Sequence, residues 1–95
     1  MSVTVSPKAL EGAEKIPTCD EMYRLGLEAS MPDLDNNVDL IAAHKWFNLA
    51  AQQGSEQARI YRKELTLEMS SEEIAEAQRQ AREWLNGSNK MFLGV

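Results

Sequence analysis

Cysteine occurs once in this sequence of 95 residues, at Cys19, and histidine once, at His44. A lone cysteine cannot close an internal disulfide, which excludes a cross-linked secreted scaffold. One cysteine and one histidine are too few soft ligands for a structural zinc site. No apolar run approaches the ~20 residues of a membrane span. The first seventeen residues lack the apolar core of a secretory signal, so a cytoplasmic location is the expectation. The three prolines, Pro7, Pro17 and Pro32, all fall outside the strongly periodic stretches. The alternation of β-branched and aromatic residues that marks strands is almost missing. Cations are the minority charge, ten Lys and Arg against fifteen Asp and Glu, for a net charge of −5. Phosphate backbones need a cationic footprint, so this balance argues against nucleic acid, and equally against an anionic membrane surface.

What remains is helical periodicity. The length suits one domain, which at this size buries roughly 60–65% of its unfolded surface. A hydrophobic fraction of 43% with 26% charged residues is ordinary for a globular chain and argues against wholesale disorder. Residues 1–17 read as a partly ordered arm, in which Ser6-Pro7 opens at most a short helix. Residues 18–86 carry four helices. The first spans Cys19 to Ser30, with Thr18 and Glu21 as a capping box and Met22, Leu25, Gly26 and Ala29 as the inward stripe. A polar loop from Met31 to Val38 follows. The second helix runs from Leu40 to Gln53, capped by Asp39 and ended by Gly54, with Leu40, Ala43, Phe47 and Ala50 on one stripe and Trp46 beside it. Ser55 then caps a third helix to Met69, and so short a connection folds the pair into an antiparallel hairpin. Ser70 and Glu73 form another capping box ahead of a fourth helix, Ser71 to Asn86, striped by Ile74, Ala77, Ala81, Trp84 and Leu85. Gly87 is expected to end it, leaving 87–95 as an apolar tail.

The most specific feature is internal. Ala43-His44-Lys45-Trp46-Phe47-Asn48 is echoed by Ala81-Arg82-Glu83-Trp84-Leu85-Asn86 at an offset of 38 (81 minus 43). A repeat of that period signals stacked supersecondary units. Alanine and tryptophan three apart share a helix face; the alanine admits a neighbouring backbone and the indole fills the wider gap beside it. The run Asp39, Ala43, Trp46-Phe47, Ala50-Ala51, Gln53-Gly54, Ala58 resembles the Sel-one-like repeat, an α/α repeat related to the tetratricopeptide repeat. Leu25-Gly26 resembles the Leu-Gly pair of that repeat's first helix, and Met69 to Gln78 resembles the helix that often closes such arrays. The chain departs from the family at Ala29, where a tyrosine is usual, and at Met31–Val38, which replaces a Gly-x-Gly-Val turn. It departs again at Arg62-Lys63, which stand where a second Leu-Gly pair would fall, so the second unit is a degenerate cap. The resemblance implies an all-α fold of two stacked antiparallel hairpins, a short right-handed solenoid. Its structural residues would be Leu25, Gly26, Ala43, Trp46, Phe47, Ala50, Gly54, Ala58, Ala81 and Trp84.

By the same resemblance, Tyr23, Arg24, Leu27, Arg59, Arg62 and Lys63 would edge a groove that binds a protein or peptide; arginine and tyrosine suit interface anchors. The competing account of these cations is a solvated helix face with local ion pairs to Glu56 and Glu64. Cys19 at a helix N-terminus and His44 are the only pair that suggests nucleophilic or thiol-sensor chemistry. With no motif around either, the expectation is an incidental thiol, a surface or interface histidine, no enzyme and no cofactor. Asp33, Asp35, Asn36, Asn37 and Asp39 have the composition of a calcium loop but lack its central glycine and closing glutamate, so a capped turn is expected. Trp46 and Trp84 are read as packing residues rather than ligand platforms. The alternative to an adaptor is a homo-oligomer joined through the open end of the stack or the apolar tail.

Overall fold

The computed structural model describes residues 17–93, and side chains as far as Gly87. Within that span the chain is all-helical, with α1 Cys19–Ser30, α2 Leu40–Gln52, α3 Glu56–Thr66 and α4 Ser71–Leu93, and no strand among the described residues. The expected arm before Pro17 and the last two residues of the expected tail lie outside the described residues.

Each helix begins where a short polar side chain replaces a missing intrahelical partner. Thr18 Oγ1 accepts from the Glu21 amide and Glu21 Oε1 accepts from the Thr18 amide, closing the capping box at α1. Asp39 Oδ1 accepts from Ala42 N at α2, and Ser55 Oγ from Ala58 N at α3. Ser70 and Glu73 exchange a second reciprocal pair at α4. Met69, buried just before that cap, and Ile74, packed on the core, occupy the two positions of a hydrophobic staple.

Helix α2 is the hub. It packs closely against α1, α3 and α4, whereas α3 and α4 approach each other less closely than either approaches α2. The second hairpin of the expected pair is therefore the looser one; its two helices are joined chiefly through α2. The core collects Met22 from α1, Ala43, Phe47, Leu49 and Ala50 from α2, Ala58 and Leu65 from α3, Met69, and Ala77 and Ala81 from α4. Phe47 lies at its centre with 0% exposure. Its ring stacks on Tyr61 of α3, centroids 5.3 Å apart, and tilts against Tyr23 of α1 at 5.9 Å. It also covers Gly26, where a Cβ would lie 2.6 Å from two ring carbons. On an adjoining face of α2, about 100° round from Phe47, Trp46 and Trp84 meet edge to face with centroids 5.7 Å apart, so the two members of the 38-residue echo are in contact. Both indoles are half-buried, and Lys45 Nζ sits 4.4 Å over the Trp46 ring.

Several expectations need correction. Leu25 is half-buried but is not among the residues packed on the core, where Cys19, Tyr23 and Leu27 appear instead. Counting about 100° per residue, Met22, Gly26, Cys19 and Tyr23 share an arc, and Leu25 falls to one side of it. Gly54 is exposed rather than interior; its role is conformational, with φ at +109° in the turn between α2 and α3. Helix α3 stops at Thr66, before Met69. The Thr66 hydroxyl donates to the Lys63 carbonyl, and Ser70 takes the non-helical backbone that a cap requires. Helix α4 does not end at Gly87 but continues to Leu93. Gly87 is not among the glycines with positive φ, so it serves as an interior helical residue rather than a stop.

Candidate interaction site

Helix α3 places Arg59, Arg62, Lys63 and Thr66 at positions i, i+3, i+4 and i+7, hence on one face. Its buried residues Ala58 and Leu65 fix the rotation of that face relative to α2. The cations border a cleft of ≈ 290 Å³, completed by His44 and Asn48 of α2 and Gln78 of α4. Arg62 Nη1 donates to Asn48 Oδ1 at 2.7 Å, tying the rim to the floor. Arg59 lies outward in an exposed ion pair with Glu56. That pair raises the Arg59 guanidinium above its ordinary value and lowers the Glu56 carboxyl, in each case first through the hydrogen bond and then through the opposite charge.

His44 is expected at the surface or in an interface, and the surface alternative fails: only 2% of it is exposed. Its Nδ1 is buried with no hydrogen-bond partner among the described residues. Leaving such an atom unpaired costs about 1–3 kcal/mol. Burial, and secondarily the charge of Arg62, push the His44 pKa below its ordinary 6.5, so the imidazole is neutral at pH 7. His44 and Asn48 are floor residues that motif and spacing alone do not single out. The available signal was that Lys45 is the only formally charged residue in the thirteen of α2. A helix with so little charge is covered on most sides, and its polar side chains face neighbours rather than water.

The six groove residues do not all line one pocket. Arg59, Arg62 and Lys63 border the cleft just described. Tyr23 belongs to the aromatic cluster with Phe47 and Tyr61, its ring 6.0 Å from that of Tyr61. Its phenol pKa is raised, first by desolvation and then by Tyr61. Leu27 packs on the core. Arg24 lines a different pocket of ≈ 240 Å³ with Pro17, Glu21, Leu25 and Glu28.

The other polar features are satisfied internally. Asp33 Oδ1 accepts from the amides of Asp35 and Asn37, both at 2.9 Å, and Asn36 adopts φ +66°. The loop thereby closes on its own backbone in the manner of an Asx turn. The Cys19 thiol donates to the Ala50 carbonyl at 3.5 Å, and no hydrogen bond joins Cys19 to His44 among the described residues. No group of three or more His, Cys, Asp or Glu is placed to hold a metal ion among the described residues. No described helix is long and apolar enough to cross a membrane. In comparison with known proteins, the chain matches no family model, no curated protein and no solved structure.

Proposed function

We propose that this chain is a protein-interaction module of the α/α-repeat kind, using the α3 face and the cleft beneath it to hold a protein or peptide. The observation that carries this reading is the placement of Arg59, Arg62 and Lys63 together on one face over a floor made by α2. Cations on a rigid helix present donors at fixed spacing, which is how helix-face recognition gains specificity. The contact of Trp46 with Trp84, thirty-eight positions apart, supports a short solenoid built from a full repeat and a degenerate cap. The Cys19 thiol donates to the Ala50 carbonyl rather than to His44, which favours binding over thiol catalysis.

The test is a double charge reversal, Arg59→Glu with Arg62→Glu, in a tagged chain used for pull-down. Arg59 is surface-paired, and the melting temperature is expected to fall by only a few degrees, because Arg62 also loses its bond to Asn48. Co-purifying proteins are expected to be lost. Recovery of the same proteins by wild type and variant would refute the assignment. A homo-oligomer is favoured by a separate observation: Ile60 on α3 and Leu67, the residue that caps its C-terminus, are exposed apolar side chains. Light scattering over a concentration series distinguishes it, since a monomer keeps one mass throughout.

A further inference from the structure

We infer that the cleft takes a phosphate monoester carried on the partner peptide, an inference that rests on the protein-binding reading above. The first argument is charge. Arg59 is compensated by Glu56, whereas Arg62 and Lys63 have no carboxylate partner among the described residues. Two uncompensated cations match the charge of about −1.5 to −2 on a phosphomonoester. A single carboxylate would leave one of them over. The pair stands on a chain of net charge −5, which repels an extended polyanion. A compact dianion is engaged within the ~8–10 Å over which charges are felt in salt, so it is admitted where a nucleic acid is not.

The second argument is donor geometry. Arginine only donates, so its bond to Asn48 Oδ1 fixes the amide orientation and leaves the Asn48 NH₂ as a donor. With the remaining Arg62 N–H groups, the Lys63 ammonium and the Gln78 amide, the cleft offers donors enough for three phosphate oxygens. The third is His44, almost wholly buried beneath the same cations with an unpaired ring nitrogen. A buried polar group without a partner is uncommon and calls for a reason. Closing an imidazole N–H onto an anion drawn into the cleft supplies one.

The experiment is an NMR titration of the isotopically labelled full chain. The probes are a blocked phosphoserine pentapeptide, the same peptide with serine or glutamate in its place, and inorganic phosphate. The phosphopeptide is expected to give saturable shifts at His44, Asn48, Lys63 and Thr66. It should bind at least about tenfold more tightly than the glutamate peptide or inorganic phosphate. Arg62→Gln and Lys63→Gln should each weaken it by about tenfold. Lys63 is exposed and without an ion-pair partner among the described residues, so its variant keeps the test valid if Arg62→Gln disturbs the fold. Absence of saturable shifts, equal affinity for the glutamate peptide, or indifference to Lys63→Gln overturns the inference. Equal affinity for inorganic phosphate removes the peptide as the source. If the double charge reversal abolishes pull-down while the phosphopeptide leaves the spectrum unchanged, the interaction module stands and the phosphate does not. Phosphopeptide shifts with an unaltered pull-down would instead retain the phosphate and remove the module.

Discussion

At Gly26 two physical effects oppose each other. Alanine gains about 1 kcal/mol of helix propensity over glycine in a helix interior. Here its methyl would meet Cδ1 and Cε1 of Phe47 at 2.6 Å, and that ring is held by Tyr23 and Tyr61 and cannot retreat into open space. Overpacking of a core typically costs about 1–3 kcal/mol, so Gly26→Ala is expected to destabilise by roughly 1–2 kcal/mol in urea unfolding. A stabilised variant would mean that Phe47 does not cover α1. His44 gives a second residue-scale prediction. Its folded pKa lies below its unfolded value of 6.5, so the unfolded state binds the proton more readily. Stability is therefore full above about pH 6.5 and declines as pH falls from there toward the folded pKa. Because His44 is the chain's single histidine, His44→Gln should flatten this slope in urea midpoints measured between pH 7 and 5.5. An unchanged slope would show that the imidazole is not desolvated. At this scale the cations of the cleft were legible in the sequence, because their spacing alone puts them on one face of α3. His44 and Asn48 were not, because each becomes a floor residue only when a second helix covers it. Arg24 looked like a groove residue for the complementary reason: resemblance assigns a position in a repeat, but not what stands next to it.

At the scale of the element, the sequence signals were strongest where the physics is local. Thr18, Asp39, Ser55 and Ser70 cap their helices because each needs only its own backbone a turn away. Helix ends were less legible, since glycine and threonine permit alternatives that tertiary context selects. Gly54 takes a positive φ and stops α2, while Gly87 stays helical and α4 passes through it to Leu93. That contrast is testable. A methyl added at Gly87 would point into open space, with nothing within 4 Å, so Gly87→Ala should add about 0.5–1 kcal/mol and raise the helical signal in circular dichroism. At Gly54 the space is equally open, yet alanine would be strained at a φ of +109°, and a loss of about 1–2 kcal/mol is expected there. If both substitutions stabilise, the turn between α2 and α3 is not built on a left-handed residue. If both destabilise, α4 ends where the glycine suggests.

For the whole molecule, the question is what attaches α4, the longest helix, to the rest. It approaches α3 less closely than α2, so its docking depends on Ala77 and Ala81 in the core and on the indole contact between Trp84 and Trp46. A domain of this size has roughly 5–14 kcal/mol of total stability. Trp46 is half-buried, so Trp46→Ala is expected to cost about 3 kcal/mol, the low end for an aromatic, against up to about 5 for the fully buried Phe47→Ala. Truncation alone does not show that the two indoles act on each other. A double-mutant cycle does, and leucine replacements keep enough volume for the variants to fold. Trp46→Leu, Trp84→Leu and the double variant, compared by urea unfolding, should show a coupling of about 0.5–1.5 kcal/mol, the range for an edge-to-face aromatic pair beyond its buried area. A coupling within about 0.3 kcal/mol of zero would mean additive, independent sites, and α4 would then not be held on α2 by the two halves of the echo. A positive coupling makes the 38-residue recurrence a packing device: each half supplies one indole, neither buries it alone, and the α2 floor of the cleft is braced by the same helix that carries Gln78.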